Sequence, residues 1–203
     1  MSIGEFFSQN FELSDPAVIS ALSASSAPRH LNEGELLLRE GEVQHEVPFL
    51  VHGVIRGFYF DENGKEITDC LVVQPGMPAV AMAEIEKRSS LYLQALEESD
   101  LLVISIHDVR DLLDRYPVLM KIYNQLLVAA FSTHWELKAI VCREKATERY
   151  KWFLQRYPGL IERISNKYIA SFLGITPVTL SRIRRQLRDQ KDVGETTNDE
   201  NDS

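Results

Sequence analysis

SNKYIASFLGITPVTLSRIRRQLR, residues 165–188, decides how this chain is read. From Asn166 to Leu173 the apolar residues Ile169, Phe172 and Leu173 recur at helical spacing. Gly174 follows where a helix end favours a residue free to take positive φ. Thr176 is a good N-cap, and Pro177 stands at the first helical position, where its missing N–H costs nothing. The second helix offers Val178, Leu180, Ile183 and Leu187 for burial, with Thr179, Ser181, Arg182, Arg184, Arg185 and Arg188 on its other faces. Ala170 is small enough for two helices to cross closely. The pattern predicts a helix-turn-helix with a basic second helix, the arrangement that places one helix in the DNA major groove. A helical hairpin with a solvated charged face is the alternative.

Charge is divided along the chain in a way that favours the first reading. The total is −8, with 22 Lys/Arg against 30 Asp/Glu. Residues 1–142 hold 10 basic and 21 acidic residues, a balance of −11, and residues 143–191 hold 12 and 4, a balance of +8. Residues 192–203 carry five acids and no base, and are expected to be a disordered acidic tail. A basic segment confined to the helix-turn-helix is the footprint phosphate binding requires. The acidic front is expected of a domain that stays off the DNA.

IASFLGITPVTLSRIRRQL, with its ITPxTLSRIR core, resembles the helix-turn-helix of the bacterial Crp/Fnr transcription regulators. The resemblance extends forward. LLLREGEVQHEVPFLVHGVIRGFYFDENGKEIT, from Leu36, is similar to the first hairpins of that family's cyclic-nucleotide-binding jelly roll. LYLQALEESDLLVISIHDVRDLLDRYP continues it with two strands and a short helix. The residues agree independently. Glycines at 34, 41, 53, 64 and 76 separate strand-like runs at Leu36–Leu38, Pro48–Val51, Val54–Phe60 and Ile67–Val73, and Asp61-Glu62-Asn63-Gly64 is a hairpin turn. Residues 3–27 are expected to be helical, with a start signal at Asp15-Pro16. The fold class expected is α+β: an N-terminal jelly-roll β-barrel of the cyclic-nucleotide-binding type (1–117), a long dimerisation helix (118–142) and an all-α helix-turn-helix domain of three helices (143–191).

In the long helix Leu119, Ile122, Leu126, Ala129, Ala130, Thr133, Leu137 and Ile140 recur at steps of three and four, apart from the adjacent alanines. That stripe is expected to be the seam of a homodimeric coiled coil. The alternative is a helix packed along its own barrel. A two-fold dimer would bring two recognition helices to two half-sites.

The resemblance also supplies residue roles. Arg182 falls at the family's guanine-reading arginine. Pro177 and Val178 are candidate DNA contacts as well, but they fall where the cyclic-AMP receptor protein has a base-reading arginine and glutamate, so that protein's operator is not expected here. Thr176, Thr179 and Ser181 are candidate phosphate contacts, and Arg184, Arg185 and Arg188 are phosphate contacts or solvated charges. In the barrel, the family's phosphate-binding Arg-Ser pair falls on Ser89-Ser90, with Arg88 one residue early. The place of its ribose-binding glutamate falls near Ala79, inside GMPAVAMAEI, with Glu84 reachable only by a larger shift. A cyclic phosphate needs a charge-assisted partner in a pocket. The candidate effector pocket is therefore Arg88, Ser89, Ser90 and Tyr92, for a small-molecule effector other than cyclic AMP, or for none in a degenerate barrel.

No cofactor is expected. Two cysteines cannot hold an iron–sulfur cluster, His45 and His52 are isolated as haem ligands, and Cys70 and Cys142 are expected as buried free thiols. A cupin-type metalloenzyme is the enzymatic alternative, but its clustered ligands are not seen among histidines 30, 45, 52, 107 and 134. No apolar run reaches a membrane span and no secretory signal is visible, so a cytoplasmic protein is expected. The partners implied are double-stranded DNA, a second copy, a small-molecule effector and RNA polymerase.

Overall fold

A computed structural model of the chain describes residues 1–81 and 87–196. It divides into two compact units, Met1–His134 and Trp135–Ser203. The division falls inside the long helix, so the segment expected as a separate dimerisation element is shared between them.

The first unit opens with α1 (Ile3–Phe11) and α2 (Pro16–Ala24), where Asp15 accepts from the Ala17 N–H at 2.8 Å and Pro16 takes the first turn. Among the described residues seven strands follow: β1 (Ser26–Leu31), β2 (Leu36–Leu38), β3 (Glu46–His52), β4 (Ile55–Phe60), β5 (Glu66–Val72), β6 (Tyr92–Ala95) and β7 (Ser99–Ser105). They form two antiparallel sheets, β1-β7-β3 and β2-β6-β4-β5. The β1 strand is absent from the sequence reading: SAPRHL alternates little and contains a proline, and it becomes a strand because it pairs with β7 along its length. The expected hairpin between β4 and β5 is present. Asp61 accepts from the Asn63 and Lys65 N–H groups at 2.9 and 3.0 Å, and Gly64 has φ +75°.

Strand β7 explains how this unit is layered. Its run Leu101-Leu102-Val103-Ile104 is apolar on both faces because both faces are covered. Leu101 and Val103 join Leu38, Leu50, Ile55 and Leu93 between the sheets. Leu102 and Ile104 turn outward to a second cluster with Phe6, Phe7 and Leu22, completed by Leu112 of α3 (Ile106–Arg115) and Leu119 of α4 (Pro117–Arg143). Cys70 of β5 packs its sulfur against Gly57, and burial pushes the thiol up to about 12. Of the two cysteines expected to be buried, Cys70 is half-buried and Cys142 is exposed.

The second unit adds α5 (Ala146–Arg156), α6 (Leu160–Arg163), α7 (Asn166–Phe172) and α8 (Pro177–Thr196) to the end of α4. Where three helices are expected, the described residues form four. The extra one, α6, is a single turn after Gly159, which takes φ +75° and redirects the chain after Pro158. Helix α8 runs to Thr196, five residues into the segment read as a tail, because the polar stretch after Arg188 contains no proline to stop it. Residues 197–203 lie outside the described residues.

Two outcomes follow from this packing. Gly53 has φ +109°, and an added Cβ would lie 2.7 Å from the Ser99 Cα. Gly53→Ala should therefore cost about 1–3 kcal/mol, read as a lower urea midpoint at unchanged slope. A thiol reagent should modify the exposed Cys142 much faster than Cys70, whose half-buried thiol has its pKa pushed up to about 12.

Candidate nucleic-acid interface

The second unit holds together around a cluster of aromatic rings. Phe153 and Tyr157, with centroids 5.2 Å apart, meet Phe172 edge-on at 6.1 and 5.8 Å, and Trp152 stacks on Phe172 at 6.4 Å. Ile169, Ala170 and Leu173 of the α7 segment are fully buried, as is Leu180 of α8, with Ile183 nearly so.

The turn between α7 and α8 is a Schellman motif. Gly174, at φ +63°, donates its N–H to the Ser171 carbonyl at 3.1 Å, and the Ile175 N–H reaches back to Ala170 at 2.9 Å. Arg149 of α5 completes it, donating from Nη1 to the Leu173 carbonyl at 3.1 Å and to that of Gly174 at 3.4 Å. A cation at a helix C-terminus satisfies open carbonyls and complements the dipole. Sequence reading passed over this residue, since nothing local distinguishes it from the other arginines. Helix α8 begins as expected: Thr176 Oγ1 accepts from the Thr179 N–H at 3.1 Å and lies 2.9 Å from the Thr179 hydroxyl.

Turning by about 100° per residue, α8 sorts its side chains. Leu180 and Ile183 face the core, with Leu187 half-buried on the same side. Val178, expected as a fourth core residue, is 69% exposed, because two positions before Leu180 it points the opposite way. It shares a face with Ser181, Arg182 and Arg185, all exposed, as are Pro177 and Arg188. Arg184 is different: it is half-buried and donates from Nη1 to Asn166 Oδ1 at 2.7 Å, tying α8 to the start of α7. Burial raises the Tyr150 hydroxyl pKa, and the charges of Arg184 and Arg188 oppose that rise.

Helix α4 presents two apolar faces. Leu119 is buried in its own domain, Ile122 packs against the same cluster, and Leu126 lines an apolar cavity of about 70 Å³ with Phe11, Phe49 and Tyr123. The first half of the stripe expected as a dimer seam is thus committed within the chain. Farther along, Ala129 and Ala130 are exposed, and Thr133 and Leu137 are half-buried. About 150° around the helix lies a second stripe. Leu127 is 41% exposed, Val128 65%, Phe131 69% and Trp135 61%.

Among the described residues, those read as an effector pocket make separate local contacts. Arg88 is exposed and donates to the Gly41 carbonyl at 2.8 Å. Ser89 is buried, its hydroxyl donating to the Leu91 carbonyl at 2.6 Å and accepting from the Leu91 N–H at 3.0 Å. Ser90 is exposed, and the Tyr92 ring stacks on Phe58 at 5.0 Å. Ala79 is fully buried in the barrel core, and Glu84 lies outside the described residues. Sequence reading also missed Arg56. It is buried, donating to Gln94 at 2.9 Å and to Glu66 and lying 3.9 Å over the Phe58 ring, so its charge is engaged within the protein. His45 and His52 are exposed, no group of three His, Cys, Asp or Glu among the described residues could hold a metal, and no described helix is long and apolar enough to cross a membrane.

Residues 28–116 match the cyclic nucleotide-binding domain model. FixK2 from Bradyrhizobium japonicum superposes with a TM-score of 0.73 at 18% identity, covering 82% of this chain and 86% of that one. The cyclic-di-GMP-responsive global regulator CLP of Xanthomonas campestris gives 0.69 at 16% identity, over 87% and 93%. A protein of Eubacterium rectale assigned to the Crp/Fnr regulators gives 0.68 at 17% identity, over 92% and 88%. No curated protein sequence matches this chain.

If Arg184 ties α8 to α7, Arg184→Ala and Asn166→Ala should each cost about 0.5–1.5 kcal/mol of stability. The double variant should cost less than their sum in urea unfolding. Arg185→Ala, on the exposed face, should leave stability within about 0.5 kcal/mol of the parent.

Proposed function

We propose, for a chain whose residues 28–116 form a cyclic nucleotide-binding-type domain and whose fold is that of the Crp/Fnr transcription regulators, that it is a homodimeric, sequence-specific DNA-binding regulator acting in the cytoplasm and not an enzyme. One observation carries the reading. A helix capped at Thr176 and anchored by Leu180 and Ile183 turns Ser181, Arg182, Arg185 and Arg188 to solvent, in a segment whose balance is +8. The core-facing residues hold the helix while the opposite face is free for the major groove. Arg182 is assigned to a guanine and Arg185 and Arg188 to phosphates, with Thr176, Thr179 and Ser181 at the groove edge. Arg184 acts by positioning.

The dimer is assigned to the exposed stripe of α4. Leu127, Val128, Phe131 and Trp135 offer apolar area over two turns, whereas Leu119 and Ile122 serve their own domain. Val128→Asp with Phe131→Asp should give folded monomers by sedimentation, because burying charge in a seam is costly. Ile122→Asp should instead destabilise the first unit.

For the barrel, cyclic AMP is assigned no role: Arg88 is turned to the Gly41 loop and Ala79 stands near the expected place of the ribose carboxylate. A different small-molecule effector would act by shifting the α4 pair and so the separation of the two α8 helices, and RNA polymerase is the further partner of such a regulator. A second reading, an effector-independent regulator, is favoured by the engagement of Arg88 with the Gly41 carbonyl and of the Ser89 hydroxyl with Leu91. Calorimetry with cyclic AMP should show no micromolar binding, and such binding would overturn the assignment.

Selection of bound sequences from random duplexes tests the central reading. The wild type should enrich an inverted repeat with centres about one helical turn apart. Arg182→Ala should relax one position per half-site and lose about 1–3 kcal/mol of discrimination there. Arg188→Ala should weaken all sequences alike and flatten the salt dependence. No enrichment for the wild type would contradict the reading.

A further inference from the structure

Among residues of the second unit with described side chains, Trp135 of α4 and Val178 of α8 are the large apolar side chains left exposed. Trp135 belongs to the apolar stripe of α4. Val178 stands in a polar setting, in the first turn of α8, with Ser181, Arg182 and Arg185 on its face. At about 100° per residue, Arg185 lies about 20° from it, Arg182 about 40° and Ser181 about 60°. The core-facing Leu180 lies about 200° away, so Val178 has no route to the interior without unseating that anchor. A β-branched side chain is a poor choice for a solvated helix surface, but it is stiff, with one dominant rotamer in a helix. It can hold two methyl groups in a fixed place at little entropic cost.

On the floor of the major groove, the apolar group is the C5-methyl of thymine; the other base edges offer hydrogen-bond donors and acceptors. We propose that Val178 reads a thymine methyl, so that α8 specifies a thymine as well as the guanine assigned to Arg182. This rests on the DNA-binding reading above. Val178 and Arg182 are one turn apart, about 6 Å along the helix, which corresponds to about two base steps. The thymine should therefore lie within about two positions of the guanine in each half-site. No hydrogen bond supports the contact; discrimination comes from the apolar area removed from water.

The test uses the full-length protein and the duplex recovered by selection, with each thymine of a half-site replaced in turn by deoxyuridine. That change deletes the methyl and keeps the base-pairing and hydrogen-bonding edges. Wild type should lose roughly fourfold in affinity at one position per half-site, corresponding to about 0.8 kcal/mol for one buried methylene-sized group. Val178→Ala should show the same loss on the thymine duplex and no further loss on the deoxyuridine duplex, while keeping its preference for the guanine. Val178→Thr, which retains one branch methyl, should keep part of the discrimination. Wild type indifferent to every deoxyuridine, or Val178→Ala as sensitive as wild type at the same position, would overturn the inference and leave Val178 as a surface for another protein. A selected site with no thymine near the guanine would overturn it equally. Failure to bind any duplex is a separate result that removes the DNA-binding reading itself, and this inference with it.

Discussion

The left-handed turn at Gly174 is the constraint on which the functional half of this chain depends. Its φ of +63° closes α7, and an added Cβ would stand 3.3 Å from Arg149 Nη1 and 3.4 Å from Val141 Cγ1. The turn sends the chain into α8 in an orientation that buries Leu180 and Ile183. Once those two positions are anchored, helical geometry places Val178, Ser181, Arg182 and Arg185 on the opposite side. Burial of one face aims the other, so the recognition proposed for α8 is inherited from the packing of the core. Arg149 and Arg184 strengthen this without facing outward, one by capping the α7 carbonyls and the other by holding Asn166.

The same two-faced logic governs α4, where the first half of the stripe expected as a dimer seam packs within its own unit. Leu119, Ile122 and Leu126 are as regular a stripe as any coiled-coil seam, and periodicity cannot say whether a stripe faces its own chain or another. The structure distinguishes them because α1, α2 and β7 already form a cluster that needs Leu119 as its cover. Phe131 and Trp135, which a spacing count passes over, lie on the solvent side.

Elsewhere, legibility followed the locality of the signal. The α7–α8 turn was readable because Gly174, Thr176 and Pro177 act within a few residues of themselves. The strands from Leu36 to Val73 were readable because glycines and the Asp61 turn punctuate them. The β1 strand was not, since its conformation is imposed by β7 about 75 residues away. Val178 reads both as a core residue and as a DNA contact in sequence, and the phase of Leu180 and Ile183 excludes the first. Arg56 escaped notice for a related reason: its meaning comes from Phe58, Glu66 and Gln94 around it.

The barrel and the second unit place different demands on their residues. Leu38, Leu50, Ile55, Leu93 and Leu101 pack together between the two sheets, and among the described residues Arg88 and Ser89 are engaged with their own loops, Arg88 with Gly41 and Ser89 with Leu91. The basic face of α8 has no such commitment apart from Arg184. What a dimer adds is geometry, because two copies of α8 related by a two-fold axis must meet two half-sites on one side of the duplex. Inserting about half a helical turn, roughly five base pairs, between the selected half-sites tests that directly. The account predicts that the insertion rotates one half-site away and abolishes the tight complex. Affinity unchanged by the insertion would contradict it.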